Sequence, residues 1–184
     1  MIELVWPARQ YLDSYVDALR RDWSPDNVRG LAVARAELEW IERDADGFLA
    51  SLVDREATGP PVILRDGTSV PRLPGYRRWM WDGEFAGSIG FRWQPGTEAL
   101  PPYCLGHIGY TVVPWKQRRG YATQALAITL RDAKSEGLRW VEITTTPDNI
   151  ASRKVIEANG GIFVEEFVPT GVHGVPELKF RVPL

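Results

Sequence analysis

The 184-residue chain sets 22 Lys and Arg against 24 Asp and Glu, for a formal net charge of −2 and a pI of about 5.8, so it lacks the basic excess of a nucleic-acid binder. One cysteine, Cys104, and two histidines, His107 and His173, exclude an intrachain disulfide and leave no Cys/His zinc site, and no metal is expected. With 44% hydrophobic and 25% charged residues the chain suits one domain over 1–184; charges from Glu3 onward and the lack of a run of about 18 apolar residues predict a cytoplasmic protein without signal peptide or membrane span.

Residues 2–6 read as a first strand, stopped by Pro7. Residues 8–22 place Tyr11, Leu12, Tyr15, Val16 and Leu19 at helical spacing, and 31–53 read as a second helix with Leu38, Ile41, Phe48 and Leu52 on one stripe. Glycines and prolines crowd 54–75, predicting a loop with at most a short strand at Val62–Leu64. Tyr76–Trp81 and Phe85–Trp93 flank Asp82-Gly83, a hairpin signal. After a Pro/Gly-rich excursion over 94–106, His107–Val113 is a strand stopped by Pro114. A helix over Tyr121–Glu136, a strand over Trp140–Thr145 and a short helix over Ile150–Asn159 follow. Strands Ile162–Val168 and Glu177–Val182 close the chain around a loop bearing Gly171 and Gly174. This order predicts a mixed α/β domain. Of the eight tryptophans, Trp79, Trp81 and Trp93 cluster at the hairpin and Trp115 near the next turn, where they serve either core packing or the wall of a pocket.

The segment from Val112 to Thr123 carries the chemistry. A strand ends at Pro114 and a helix begins near Gly120. The first N–H groups of that helix have no internal partner, and its dipole adds positive charge, which makes an anion site. Gly120 and Ala122 let a ligand approach the backbone, and Lys116, Arg118 and Arg119 add cations. Neither GxxxxGK nor GxGxxG is present. Downstream, Asn149 stands before a helix in an N-cap position, with Ser152 one turn along on the same face.

Gln117-Arg118-Arg119-Gly120-Tyr121-Ala122 resembles the Q/R-x-x-G-x-G/A signature of the GNAT superfamily of acetyl-CoA-dependent N-acetyltransferases, and Val112–Pro114 resembles its lead-in. Asn149 to Gly161 resembles the N-x-x-S/A block before a glycine. Gly106–Tyr110 with the 152–161 segment is similar to a bacterial subgroup of predicted acetyltransferases. The resemblance spans 76–168, leaving 1–75 as a variable N-terminal part. It implies a central, mostly antiparallel twisted sheet of six to seven strands flanked by helices, with a splayed central strand at His107–Val113. It further implies that main-chain groups of Val112 and Val113 meet the pantetheine arm, that Gln117, Arg118, Arg119, Gly120, Tyr121, Ala122 and Thr123 bind the pyrophosphate of acetyl-CoA, that Asn149 bonds the pantetheine chain, and that Ser152 donates to the thiol. Arg153 or Lys154 is either a phosphate contact or a surface charge.

Many members of the family place a tyrosine acid seven residues after the Asn; here that residue is Ile156, and Ser152 is the nearest replacement as a donor to the thiolate. The general base is open among His107, Glu84, Glu142 and a water relay. A main-chain N–H near Val113 is expected to polarise the carbonyl. The resulting expectation is transfer of acetyl from acetyl-CoA to a primary amine, small-molecule or peptide, by direct attack in a ternary complex. A non-catalytic acyl-CoA-binding sensor or scaffold is the second reading, and a nucleotide- or phosphate-binding protein of another family the third. The acidic, aromatic-rich composition suits a cationic or aromatic amine. Neither nucleic acid nor membrane is expected as a partner, and the oligomeric state stays open, homodimers being common in the family.

Overall fold

The computed structural model describes residues 1–27, 29–64, 66–169 and 174–184, so Gly171 and His173 lie outside the described residues. Strand β1 (Glu3–Val5) leads into helix α1 (Arg9–Arg20), whose buried face is Leu12, Tyr15, Ala18 and Leu19, three and four residues apart. The single helix expected over 31–53 is two, α2 (Leu31–Arg43) and α3 (Ala45–Ser51). Asp44 divides them: its carboxylate accepts from the Gly47 N–H at 2.9 Å, a side-chain cap that starts a fresh helix. The segment expected as loop contributes short strands β2 (Val53–Asp54), β3 (Val62–Ile63) and β4 (Ser69–Val70); β3 pairs with β4, and β2 pairs with the next strand.

That strand, β5 (Gly75–Trp81), forms the expected hairpin with β6 (Phe85–Arg92), Gly83 taking the left-handed φ of +106° in the connection. β7 (Ile108–Val112) lies antiparallel on the other side of β6, giving the order β1-β5-β6-β7 with β2 beside β5. A 3₁₀ turn at Pro114–Lys116 and helix α4 (Tyr121–Ser135) follow. β8 (Trp140–Thr145), α5 (Ile150–Ala158), β9 (Ile162–Phe167) and β10 (Glu177–Pro183) complete the chain, with a second antiparallel sheet ordered β8-β10-β9. No helix among the described residues is long and apolar enough to cross a membrane.

Alternation along β5 and β6, switched in β6 by a bulge where Met80 pairs with Gly87 and Trp81 with Phe85, sorts side chains to two cores. Met80, Ile89 and Phe91 join Ala125 and Leu126 of α4, Val141 and Ile143 of β8 and Ile156 of α5 on one face. Trp79 and Phe85 join Tyr15 of α1 and Phe48 of α3 on the other. The hairpin tryptophans are packing residues: Trp79 stacks on Tyr15 at 4.5 Å and Trp93 on Phe91 at 5.0 Å, while Trp81 tilts against Tyr11 at 4.7 Å.

Candidate active site

The two sheets share a core, and a reciprocal pair of hydrogen bonds joins them just before β7. His107 N–H donates to the Glu142 carbonyl at 2.8 Å, and the Glu142 N–H donates back to His107 Nδ1 at 2.9 Å, a side chain standing in for a strand carbonyl. Gly106 lies against β8 there, where an added Cβ would sit 3.1 Å from the Glu142 oxygen. Beyond this clasp no ladder joins β7 to β8, and the strands part. The Nδ1 acceptor requires the neutral ring with its proton on Nε2. Burial holds His107 in that form, bringing its pKa down to about 4. The ring is fully buried, edge-on to Trp140.

On the β6 side of the ladder, Arg92 N–H donates to the His107 carbonyl at 2.9 Å and Val113 N–H to the Ala86 carbonyl at 3.0 Å. The donor expected near Val113 is therefore already engaged, and the Val113 side chain is buried with the helices α1–α3. An antiparallel ladder alternates, so the main-chain groups of Ile108, Tyr110 and Val112 point the other way, into the gap before β8.

At the open end of the gap stands the turn. Arg118 and Gly120 both take left-handed conformations, φ +60° and +75°, on either side of Arg119, which does not. That alternation turns successive N–H groups into one concavity, an anion-binding nest. No side chain caps α4, whose first N–H groups continue the same surface at Tyr121, Ala122 and Thr123. Gln117 ties the turn to the strand, its Nε2 donating to the Val112 carbonyl at 3.3 Å, while Gln117, Arg118, Arg119 and Gly120 are exposed. Lys116 departs from the expectation of a third free cation. It is buried, its Nζ lying 2.5 Å from Asp82 Oδ1 and 3.2 Å from Glu84 Oε2. Tyr121 donates its hydroxyl to the other Asp82 oxygen at 2.7 Å. Burial works against the Asp82 carboxylate, yet the bonds from Lys116 and Tyr121 outweigh it and hold its pKa below the ordinary value.

α5 closes the other side. Asn149 caps it, Oδ1 accepting from the Ser152 N–H at 3.0 Å. Asn159 at its far end donates to the Thr123 carbonyl at 3.3 Å and so holds α5 against the start of α4. The Ser152 hydroxyl meets Tyr110 Oη of β7 at 3.0 Å, across the gap between the sheets.

The acetyltransferase (GNAT) domain model matches residues 17–162, most of the chain. The chain belongs to the GNAT acetyltransferase family. The match makes it an acyltransferase and begins at Asp17, so the family domain takes in α2 and α3 as well as the motif-bearing stretch from 76 onward. Solved structures share its fold. The microcin C7 self-immunity acetyltransferase MccE, in complex with acetyl-CoA and AMP, is 14% identical, over 100% of this chain and 92% of that one, with a TM-score of 0.62. Ribosomal-protein-S5-alanine acetyltransferase from Vibrio fischeri is 13% identical over 99% and 91%, with a TM-score of 0.57. The Salmonella typhimurium protein yncA, with its cofactor acetyl-CoA, is 14% identical over 100% and 93%, with a TM-score of 0.54. No curated protein matches the chain.

Within this GNAT domain the motif residues fall into two groups. Gln117–Thr123, Asn149, Ser152 and the gap-facing Val112 border the splay. Glu84 belongs to the hairpin tip with Lys116, its side chain 75% exposed. Glu142 Oε1 accepts from Arg181 Nη2 at 3.0 Å. Among the described residues no cluster of three or more His, Cys, Asp or Glu could hold a metal ion. Sequence reading missed Tyr110. The signal was available, since period two puts it on the face opposite His107, toward the helix that carries Ser152.

Proposed function

We propose that this acyltransferase moves an acetyl group from acetyl-CoA to a primary amine in the cytoplasm, by direct attack in a ternary complex. The observation that carries this is the nest at Arg118–Gly120, running into an uncapped helix at the mouth of the gap between β7 and β8. Its N–H groups suit a pyrophosphate, with Arg118 and Arg119 adding charge, and the main-chain groups of Tyr110 and Val112 suit an extended amide-bearing arm. Acetyl-CoA supplies the thioester. In this reading the amine nitrogen bonds to its carbonyl carbon, the carbon–sulfur bond breaks, the amine loses one proton, and the thiolate gains one.

The Ser152 and Tyr110 hydroxyls are the donors to the departing sulfur. Burial lifts the Tyr110 pKa to about 12, so it stays a protonated donor throughout the working range. His107, with Nδ1 engaged and the ring sealed, serves in this reading as the clasp of the two sheets. Glu84 and Glu142 are tied to Lys116 and Arg181, so the amine enters as the free base and its proton leaves through water. A donor pair poised on the gap favours catalysis over a sensor or scaffold role, and turnover of any amine separates the two. We also read the edge strand β9, with exposed Ile162, Phe163 and Val164, as the seam of a homodimer.

Calorimetric titration with acetyl-CoA tests the central reading. Gly120→Asn keeps a residue tolerant of positive φ and retains binding, whereas Gly120→Glu sets a carboxylate in the nest and weakens binding at least about tenfold. Wild-type protein that does not bind acetyl-CoA overturns the proposal.

A further inference from the structure

On the face of the first sheet away from α4 lies a cleft of about 310 Å³. Its floor includes Arg77 of β5 and Gly90 of β6, which pair, and the row continues beyond the lining to Gly109 of β7. Two glycines side by side leave this stretch of the sheet bare, and Gly109 is exposed on β7, the strand at the splay. The walls are ordered. Tyr103 donates its hydroxyl to the Pro71 carbonyl at 2.9 Å, fastening the 94–106 excursion to the segment after β4. Arg72 donates to the Pro60 carbonyl at 3.0 Å, and Asp54 accepts the N–H groups of Thr58 and Gly59 at 2.8 and 3.0 Å. Leu52, Leu64 and Leu73 supply apolar surface. The volume suits a small molecule rather than a folded protein.

The charges in this cleft do not cancel. Arg77 is matched by Glu37 at 3.1 Å and Arg72 by Asp54 at 3.7 Å. Arg92 makes no side-chain hydrogen bond or ion pair among the described residues, and its Nη2 lies 3.4 Å from where a Cβ on Gly109 would stand. An unpaired guanidinium thus rests over the one bare position of β7, on the strand that borders the gap. The net charge of the whole chain, −2, points toward a cationic partner, but the cleft has the opposite sign.

We propose that this cleft receives the acceptor, and that the acceptor is a small amine carrying an anionic group, a carboxylate or a phosphate, which pairs with Arg92. This rests on the acetyl-transfer reading above and adds the substrate class. Arg is suited to the task because its planar fork binds either anion through two hydrogen bonds.

The test uses matched amines: L-leucine against L-leucinamide for a carboxylate, and phosphoethanolamine against ethanolamine for a phosphate. Binding is measured by calorimetry without acetyl-CoA, and turnover by thiol release with it. The anionic member of at least one pair is expected to bind at least about tenfold more tightly and to show a correspondingly larger kcat/KM, a factor in keeping with hydrogen bonds to a charged group. The pair that responds names the anion. In Arg92→Gln the ratio within that pair falls toward one, chiefly through KM, and Arg92→Lys restores part of it. Arg92 is exposed and unpaired, so neither substitution threatens the fold. Equal or absent binding within both pairs overturns the proposal, as does a ratio that Arg92→Gln leaves unchanged. Failure of acetyl-CoA itself to bind sinks the transfer reading instead, while the amine titrations still decide the role of Arg92.

Discussion

Ile156 occupies the position where many relatives carry a tyrosine acid, and it is fully buried against the sheet. In the proposed reaction the donor pair instead comes from two elements, Tyr110 on β7 and Ser152 on α5, 3.0 Å apart. Single-turnover thiol release is expected to fall about tenfold to a hundredfold in Tyr110→Phe and in Ser152→Ala, with little change in acetyl-CoA affinity. Removing both hydroxyls should cost less than the product of the single effects, because they act as one unit. His107 yields a separate prediction. Its folded-state pKa of about 4 lies below the ordinary value of 6.5. Below pH 6.5 the unfolded chain takes up a proton that the folded ring refuses, so stability falls as the pH drops toward 4, by about 3 kcal/mol in all. Thermal melts from pH 4 to 7 check this, and His107→Asn, which keeps an acceptor for Glu142 but does not titrate, should flatten the profile. His107 shows how far sequence reaches at this scale. The residue was legible as a feature of the central strand, but a ring nitrogen that replaces a strand carbonyl leaves no trace in spacing.

Between elements, the hairpin tip and the anion turn are tied together by Asp82, Lys116 and Tyr121. Asp82-Gly83 was legible as a turn and Gln117–Ala122 as the turn into α4, because both depend on local backbone chemistry. Their connection was not, since it joins residues 34 and 39 positions apart in the chain. Lys116 reads in sequence as one of several loop cations, and only burial separates it from Arg118 and Arg119. Asp82→Ala strips the buried Lys116 of its main partner and leaves only exposed Glu84. The expected loss is about 2 kcal/mol of stability, together with weaker acetyl-CoA binding, visible as a lower melting temperature and a raised Kd. Lys116→Arg keeps the charge but not the fit, and should fall between the two proteins. A different cause hid the helix break at Asp44. Its capping bond is local, yet the apolar stripe from Leu38 to Leu52 runs straight through it and hid the boundary.

Across the whole molecule, the chain order of strands and helices was legible from periodicity from β5 onward, and so was the placement of the motifs between β7 and α5. The division into two sheets was not, because it depends on the absence of a ladder between β7 and β8, which no residue type announces. The exposed apolar residues of edge strand β9 carry their own prediction: sedimentation velocity should show a dimer, and Val164→Glu on that edge should yield a monomer that keeps its fold. The clasp at His107 and Glu142 also makes the pair of sheets a lever. The five residues from the clasp to the end of β7 span about 17 Å, so a rotation of about 5° at the clasp would open or close the far end by about 1.5 Å. That is roughly the length added by one more carbon in an acyl chain. Tolerance for propionyl or longer donors would then be governed at a hinge one strand length from the anion turn, by residues that touch neither donor nor acceptor.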